Sequence, residues 1–80
     1  MAELADLLGF LAGAIVTHPD DVRVEAFEED DGTVVLELTV ADDDYGKVIG
    51  RGGRTASALR TVVKAAAAKD DRRVLVDIVD

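Results

Sequence analysis

A glycine-rich, basic stretch in the middle of the chain places the strongest constraint on how this sequence can fold. Tyr45–Arg54 holds four of the seven glycines and three of the nine basic residues of the 80-residue chain. Glycine permits positive φ angles and a close approach between backbones, so the stretch is typical of a tight turn. A helical pattern follows it, and the free N–H groups at a helix N-terminus attract phosphate. The simplest interpretation is a clamp for a nucleic-acid backbone.

The charges are segregated along the chain. The formal net charge is −8, which by itself disfavours nucleic acid as a partner. Residues 1–44 contain 13 acids and one base, whereas residues 45–80 contain eight bases and four acids. Residues 45–69 contain no acid and six bases, namely Lys47, Arg51, Arg54, Arg60, Lys64 and Lys69. Because screening limits charge interactions to about 8–10 Å, local charge decides phosphate contact, and the pattern predicts weak, salt-sensitive RNA binding.

Size and composition predict one small domain without disulfides. A chain of 80 residues supports a core near the lower limit for independent folding, and oligomerisation is one way to supplement it. The chain has no cysteine, which excludes a disulfide or a thiolate metal site. The longest apolar run, residues 7–16, is too short to cross a bilayer and follows acidic rather than basic residues. We therefore expect neither a membrane span nor a signal peptide, and a cytoplasmic location.

The first half of the chain has the pattern of a helix followed by a hairpin. Apolar residues recur at the spacing of one helix face over residues 2–16, namely Leu4, Leu7, Leu8, Leu11 and Ile15. This helix either covers its own core or is partly available to a second subunit. Residues 22–27 and 34–40 alternate in polarity, which predicts two strands joined by an acidic turn at residues 28–32.

The second half predicts two helices and a last strand. Aspartates at 42–44 are expected to cap and begin a short helix over residues 43–49, which Gly50 ends. A longer helix is predicted over residues 54–69, with a buried stripe of Ala56, Leu59, Val62, Val63, Ala66 and Ala67. Its opposite side is either an ordinary solvated face or a binding face, and carries Arg54, Ser57, Arg60, Thr61 and Lys64. Residues 74–79 alternate as a strand.

The element order is α-β-β-α-α-β, which predicts an α+β fold with helices on one face of a three-stranded sheet. Catalytic and metal sites are not predicted. His18, beside Pro19, is expected to be solvated or to cap a helix, and the acidic run 28–32 lacks the ligand pattern of an EF-hand. The glycine-rich stretch lacks the Lys-Ser/Thr ending of a P-loop, and no nucleophile–base pair is evident, so we expect no enzyme and no cofactor.

This order, with Ile49–Gly53 between the fourth and fifth elements, resembles a KH domain of the type II (prokaryotic) topology, whose signature loop is Gly-x-x-Gly. The chain looks like the small bacterial KH-domain RNA-binding proteins of the KhpA type in three places, namely the residues that lead into the loop (Gly46–Gly50), Arg54, and the helix at residues 60–67. The resemblance covers essentially the whole chain and implies a single KH domain over residues 1–80.

The resemblance implies that the loop grips the backbone of about four single-stranded nucleotides, with the bases in a groove between the short helix and a neighbouring strand. Gly50 and Gly53 would frame the loop, and Arg51 and Gly52 would be its variable pair. The resemblance implies four further residues for RNA binding. Lys47 and Arg54 would contact phosphate, and Val48 and Ile49 would form part of the apolar floor of the groove. Arg60 and Lys64, predicted from the charge pattern of the following helix, extend the basic surface.

The resemblance also implies a biological setting. Proteins of this type are non-enzymatic RNA binders or chaperones that pair with themselves or with a larger KhpB/Jag-type KH protein, and are linked to cell elongation and division. This sequence departs from the pattern at Gly52, where KH loops often carry a second polar or basic residue, so we expect modest affinity. The alternative is an interaction module in which the glycine loop is only a tight helix–helix turn.

Overall fold

The computed structural model describes residues 2–80 and has the predicted α-β-β-α-α-β order. Its main elements are α1 (Ala2–Gly13), β1 (Arg23–Glu28), β2 (Val34–Thr39), α2 (Tyr45–Ile49), α3 (Arg54–Ala68) and β3 (Val74–Val79). Short 3-10 turns lie in the connections, at Pro19–Asp21, Asp42–Asp44 and Arg51–Gly53. Among the described residues, no helix is both long and apolar enough to cross a membrane.

The three strands form one mixed sheet in the order β1-β2-β3. β1 and β2 are antiparallel neighbours, whereas β2 and β3 are parallel, so the chain between them crosses over through α2 and α3. Leu36 pairs with Ala26 on one side and with Val76 on the other. The predicted alternation of β2 is confirmed, because its inward residues Val34, Leu36 and Leu38 are completely buried against the helices.

α1 packs on β1 and α3 but ends earlier than predicted. The sequence pattern predicted a helix over residues 2–16, whereas α1 ends at Gly13. Glycine is a poor helix former, and the chain tightens there because the Ile15 N–H donates to the Ala12 carbonyl at 3.1 Å. The predicted inward position of Ile15 is therefore wrong: its side chain is exposed, and the buried residues of the helix are Leu4, Leu8 and Ala12.

α3 covers the β3 side of the sheet. Its buried residues are Ala56, Leu59, Val63 and Ala67, which follow the predicted stripe. Val62 was predicted to be part of that stripe and is not, because it is 46% exposed. Successive residues of an α-helix are about 100° apart, so a position next to Val63 turns away from the narrow stripe.

The carboxylate of Asp44 joins the start of α2 to the connection between α1 and β1. Asp44 is completely buried. Its Oδ1 accepts hydrogen bonds from the Thr17 N–H at 3.0 Å and the Thr17 hydroxyl at 2.7 Å. Its Oδ2 accepts one from the His18 N–H at 2.9 Å. The predicted capping role is wrong for this residue, because its side chain makes no capping bond to α2 and instead fixes a segment 26–27 residues away.

His18 lies beside this group and forms an exposed pair with a neighbouring aspartate. Its Nε2 lies 3.1 Å from the Asp43 Oδ2, and that hydrogen bond, with the charge of Asp43, raises the pKa of His18. The predicted solvated position is confirmed, whereas a helix-capping role is not seen. Because the pKa is raised in the folded state, this pair stabilises the fold at lower pH, and its contribution disappears as the pH rises through the pKa of folded His18. The contribution is small because both side chains are exposed.

The pKa of Asp44 shifts in the direction opposite to that of His18. Burial raises the pKa of its carboxyl, but the hydrogen bonds from Thr17 and His18 outweigh burial and hold that pKa below its ordinary value. The stabilisation is therefore present above the pKa of the unfolded chain, about 4, and is lost as the pH falls through the pKa of the folded state.

We predict that Asp44→Asn lowers the melting temperature at neutral pH by roughly 5–15 °C. An amide has one acceptor oxygen where the carboxylate has two, so its NH₂ group would face the backbone N–H of Thr17 or His18, which is itself a donor. Thermal melts of both proteins, followed by circular dichroism between acidic and neutral pH, measure the effect. The difference in melting temperature is expected to be wide at neutral pH and to begin to narrow below about pH 4, where the carboxyl of the unfolded chain is protonated. It should close as the pH falls further, through the lowered pKa of folded Asp44. A difference of constant size across this range would contradict the assignment.

Candidate nucleic-acid interface

The turn between α2 and α3 depends on Gly50. The N–H of Gly50 donates to the Gly46 carbonyl at 2.8 Å and ends α2. Gly50 has φ 76° and ψ 171°, a region of backbone space that only glycine occupies readily. A methyl group at this position would lie 2.7 Å from the Cβ and 2.8 Å from the backbone nitrogen of Thr55. Any side chain is therefore excluded, and the start of α3 packs directly against the bare backbone of Gly50.

Gly52 and Gly53 follow with left-handed conformations, at φ 62° and 77°. Unlike Gly50, both open onto free space, because a methyl group added at either residue would meet no heavy atom within 4 Å. At Gly52 and Gly53 the tip of the turn is thus backbone that carries no side chain of its own. Another backbone can approach it closely, which is the property required for contact with a sugar–phosphate chain.

Two backbone N–H groups at this tip are unpaired. The Gly53 N–H donates to the Gly50 carbonyl at 3.1 Å. The N–H groups of Arg51 and Gly52 donate to no acceptor within residues 2–80, and both residues are exposed. The turn also leads directly into the 15-residue helix α3, whose N-terminus carries a partial positive charge. Unpaired donors and a helix N-terminus together form a site that favours an anion.

Three cationic side chains surround the turn. Lys47 lies one helical turn before it, and its Nζ is 4.0 Å from Asp44 Oδ1, the limit of an ion pair. Arg51 and Arg54 are exposed and, within the described part of the chain, neither lies within 4 Å of a carboxylate oxygen. Their charge is therefore available to a phosphate, and both guanidinium groups can donate in a bidentate manner.

The remaining predicted RNA-binding residues fall into different positions. Val48 is completely buried in the core, so its side chain anchors α2, whereas Ile49 is half-buried beside the turn. Lys64 is exposed on α3 and has no acidic partner among residues 2–80. Arg60 is partly buried, and its Nε donates to the Val76 carbonyl at 3.2 Å. Arg60 therefore ties α3 to β3 and is not grouped with the turn.

His18, Asp43 and Asp44 form a cluster whose potential metal-ligating atoms lie within 4.8 Å of one another. All three already have partners, because His18 bonds to Asp43, and Asp44 accepts from Thr17 and from the His18 backbone. These bonds join the connection between α1 and β1 to the start of α2, which explains why the three side chains lie close together. Asp31, in the acidic turn before β2, also has a partner, because its carboxylate accepts a hydrogen bond from the Thr33 N–H at 2.9 Å.

Sequence patterns did not reveal two residues on which the site depends. Thr55 excludes a side chain from Gly50, but nothing in its type distinguishes it from other residues on the helix. Asp44 is the third of three identical aspartates, and only the fold shows that it is the buried one.

Comparison with known proteins identifies close relatives over nearly the whole chain. A family model described as "KhpA/KhpB, KH domain" matches residues 5–78. The RNA-binding protein KhpA of Halalkalibacterium halodurans is 59% identical over 75 residues, which cover 92% of this chain and 96% of that protein. The protein of the same name from Leifsonia xyli is 56% identical over 77 residues, covering 96% and 97%. That of Bacillus subtilis is 46% identical, covering 96% and 94%.

Solved structures of the protein Era share the fold. Era in complex with MgGDPNP and nucleotides 1506–1542 of 16S ribosomal RNA superposes with a TM-score of 0.65 at 15% identity, covering 94% of this chain and 28% of the Era chain. Era of Aquifex aeolicus bound to GDP·AlF4− also gives a TM-score of 0.65. This chain thus spans less than a third of Era. At this identity the likeness concerns the fold alone, and it fits the type II KH topology.

The structure and the family comparison lead to the same assignment. The sheet is mixed and three-stranded, a glycine turn joins α2 to α3, and the family model matches residues 5–78. The chain belongs to the KhpA/KhpB family of KH domains and has the type II KH fold.

Proposed function

We propose that this chain is a non-enzymatic RNA-binding protein that holds the backbone of single-stranded RNA against Gly50–Gly53. The observation that carries the proposal is the bare turn, where two unpaired N–H groups lie between the exposed cations Arg51 and Arg54. The names of the relatives, each an RNA-binding protein, support RNA as the ligand.

The turn would bind the backbone and leave the bases to neighbouring surfaces. The N–H groups of Arg51 and Gly52 donate to phosphate oxygens, and the side chains of Arg51, Arg54 and Lys47 supply charge. Ile49 contributes the apolar surface beside the turn on which a base can rest. Lys64, further along α3, extends the basic surface for a longer strand. Contacts to phosphate carry no sequence information, so recognition through this turn is expected to tolerate many sequences.

Modest affinity follows from the charges near the turn. Lys47 is partly neutralised by Asp44, and the exposed Asp42 and Asp43 precede α2. These carboxylates repel an approaching phosphate chain over a Debye length of about 8 Å. Binding therefore depends on a small number of cations and weakens steeply as salt is added.

We further propose the setting that the family resemblance implies. The chain acts as a single domain in the cytoplasm, assists RNA folding as a chaperone, and participates in the control of cell elongation and division. It pairs with a second copy or with a larger KhpB/Jag-type KH protein. The family model, which spans KhpA and KhpB, is compatible with such pairing, and the 74% exposure of Phe10 on α1 offers an apolar contact for it. A domain used only for this pairing is the alternative function.

The double substitution Arg51→Asp with Gly52→Asp is predicted to weaken RNA binding by at least about a hundredfold. It removes one cation and places two carboxylates where phosphate would lie, and Asp tolerates the left-handed conformation of residue 52. Gly52→Lys adds a cation at the same position and should tighten binding by about threefold to tenfold. Fluorescence anisotropy with a short single-stranded RNA at several salt concentrations measures both effects, and log K should fall by about 0.7 per phosphate neutralised for each unit of log salt.

A matched control is available at the opposite end of α3. Arg73→Asp with Gly32→Asp changes the net charge by the same amount, at an exposed arginine and at a positive-φ glycine with free space around it. This control should retain most RNA binding. If both double variants, folded by circular dichroism, lose RNA binding equally, the effect reflects net charge and the turn is not the site. Unchanged binding in the Arg51→Asp, Gly52→Asp variant would favour the pairing-only alternative.

Gly50→Ala and Gly52→Ala are predicted to differ strongly in stability. Alanine at Gly50 meets both a glycine-only conformation and the close contact with Thr55, so the free energy of unfolding should fall by about 3 kcal/mol or more. Alanine at Gly52 meets only a left-handed conformation, which costs about 1–2 kcal/mol. Urea denaturation measures both values. Equal losses would show that Gly50 is not packed against the start of α3 as described.

A further inference from the structure

The sheet has a second face, which no other element of the described chain covers. α1 and α3 pack on one side, where the inward residues of β2 are buried. The other side, which we call the open face, carries the alternate residues of the three strands. The strand register arranges them in rows that run across the sheet, each row containing one residue from each strand.

One row of the open face is apolar. Phe27 pairs with Val35, which in turn pairs with Leu75, so the three side chains are direct cross-strand neighbours. Phe27 is 46% exposed and Leu75 is 48% exposed. Single exposed apolar residues are normal on protein surfaces, whereas adjacent ones aligned across a sheet make a continuous patch that is suited to a partner.

The next row is acidic. Glu25 pairs with Glu37, which pairs with Asp77, and no Lys, Arg or His within residues 2–80 comes within 4 Å of these carboxylates. Like charges directly opposite one another destabilise a sheet, so the row carries repulsion that a cationic partner would relieve. Arg23, at the start of β1, does not relieve it, because its guanidinium donates to the carbonyls of Asp20 and Val22.

We propose that the open face binds a segment of another protein in which lysine or arginine residues accompany apolar ones. The apolar row would contact the apolar side chains of that segment, and the acidic row would pair with its cations. The two rows are two residues apart along each strand, or about 6.6–6.8 Å, which is also the distance between alternate residues of an extended chain. An extended partner with an apolar residue two positions from a lysine or arginine therefore matches both rows.

Charge disfavours two other occupants. RNA would bring phosphates against Glu25, Glu37 and Asp77. A second copy stacked through the same face would place the acidic row of one molecule near that of the other. The open face lies on the side of the sheet opposite α3, so a protein segment there leaves the turn at Gly50–Gly53 accessible. The two surfaces can therefore be occupied together.

The test is an NMR titration of the isotopically labelled full chain with a synthetic peptide of the repeat Val-Ser-Lys-Ser, in which each valine lies two positions from a lysine. We expect amide shifts confined to β1, β2 and β3. The variant Glu25→Gln, Glu37→Gln, Asp77→Asn should weaken binding by roughly tenfold, since each exposed pair contributes only modestly. Because this variant removes like-charge repulsion, it is expected to fold. A serine–lysine peptide, in which serine replaces every valine of this repeat, should bind much more weakly, and so should a peptide in which glutamate replaces every lysine.

The matched control separates the open face from the overall negative charge. Glu3→Gln, Asp6→Asn, Asp70→Asn changes the net charge equally at exposed acids on α1 and just after α3, and should keep the affinity within about twofold. An equal loss in both triple variants, no binding of the valine–lysine peptide, or equal binding of the serine–lysine peptide would overturn the proposal. So would a mass measurement and shift pattern showing that the open face is occupied by a second copy of the chain.

Discussion

The absence of a side chain at Gly50 is the constraint on which the functional end of this molecule depends. The start of α3 lies so close to the Gly50 backbone that even a methyl group would overlap Thr55. This contact lets a five-residue helix turn directly into a 15-residue one. It also leaves the N–H groups of Arg51 and Gly52 exposed at the tip of the turn and unpaired among the described residues. A wider connection would not place bare backbone, two arginines and a helix N-terminus together.

The turn is held by anchors of two chemical kinds. Val48 is completely buried in the core and fixes α2 by apolar packing. Asp44 is buried as well, and fixes the start of α2 to the connection after α1 through three hydrogen bonds. These anchors keep the loop in a defined place while its own tip remains open, and a preformed site loses less conformational entropy when it binds. The division of charge along the sequence becomes a division in space, with unpaired cations at the turn and unpaired carboxylates across the open face.

Much of the fold could be predicted from the sequence, and the errors have identifiable causes. β2 and β3 alternate strictly because one face of each is buried, so their positions followed from a period of two. The end of α1 was misplaced because apolar residues continue past Gly13 although the helix does not. Val62 was assigned to the core because apolar character alone does not fix the width of a buried stripe. The hydrogen bonds of Asp44 join residues 26–27 positions apart, and no local pattern reports such a contact.

The most direct test of the central claim is an amide NMR titration of the isotopically labelled protein with a short single-stranded RNA at low salt. A backbone clamp at the turn predicts that the largest shifts occur at the N–H groups of Arg51 and Gly52, with smaller shifts at Ile49 and Arg54. It also predicts that these shifts shrink as salt is added, since the contacts are to phosphate. RNA binding that leaves the Arg51 and Gly52 amides unchanged, while signals elsewhere shift, would contradict the account.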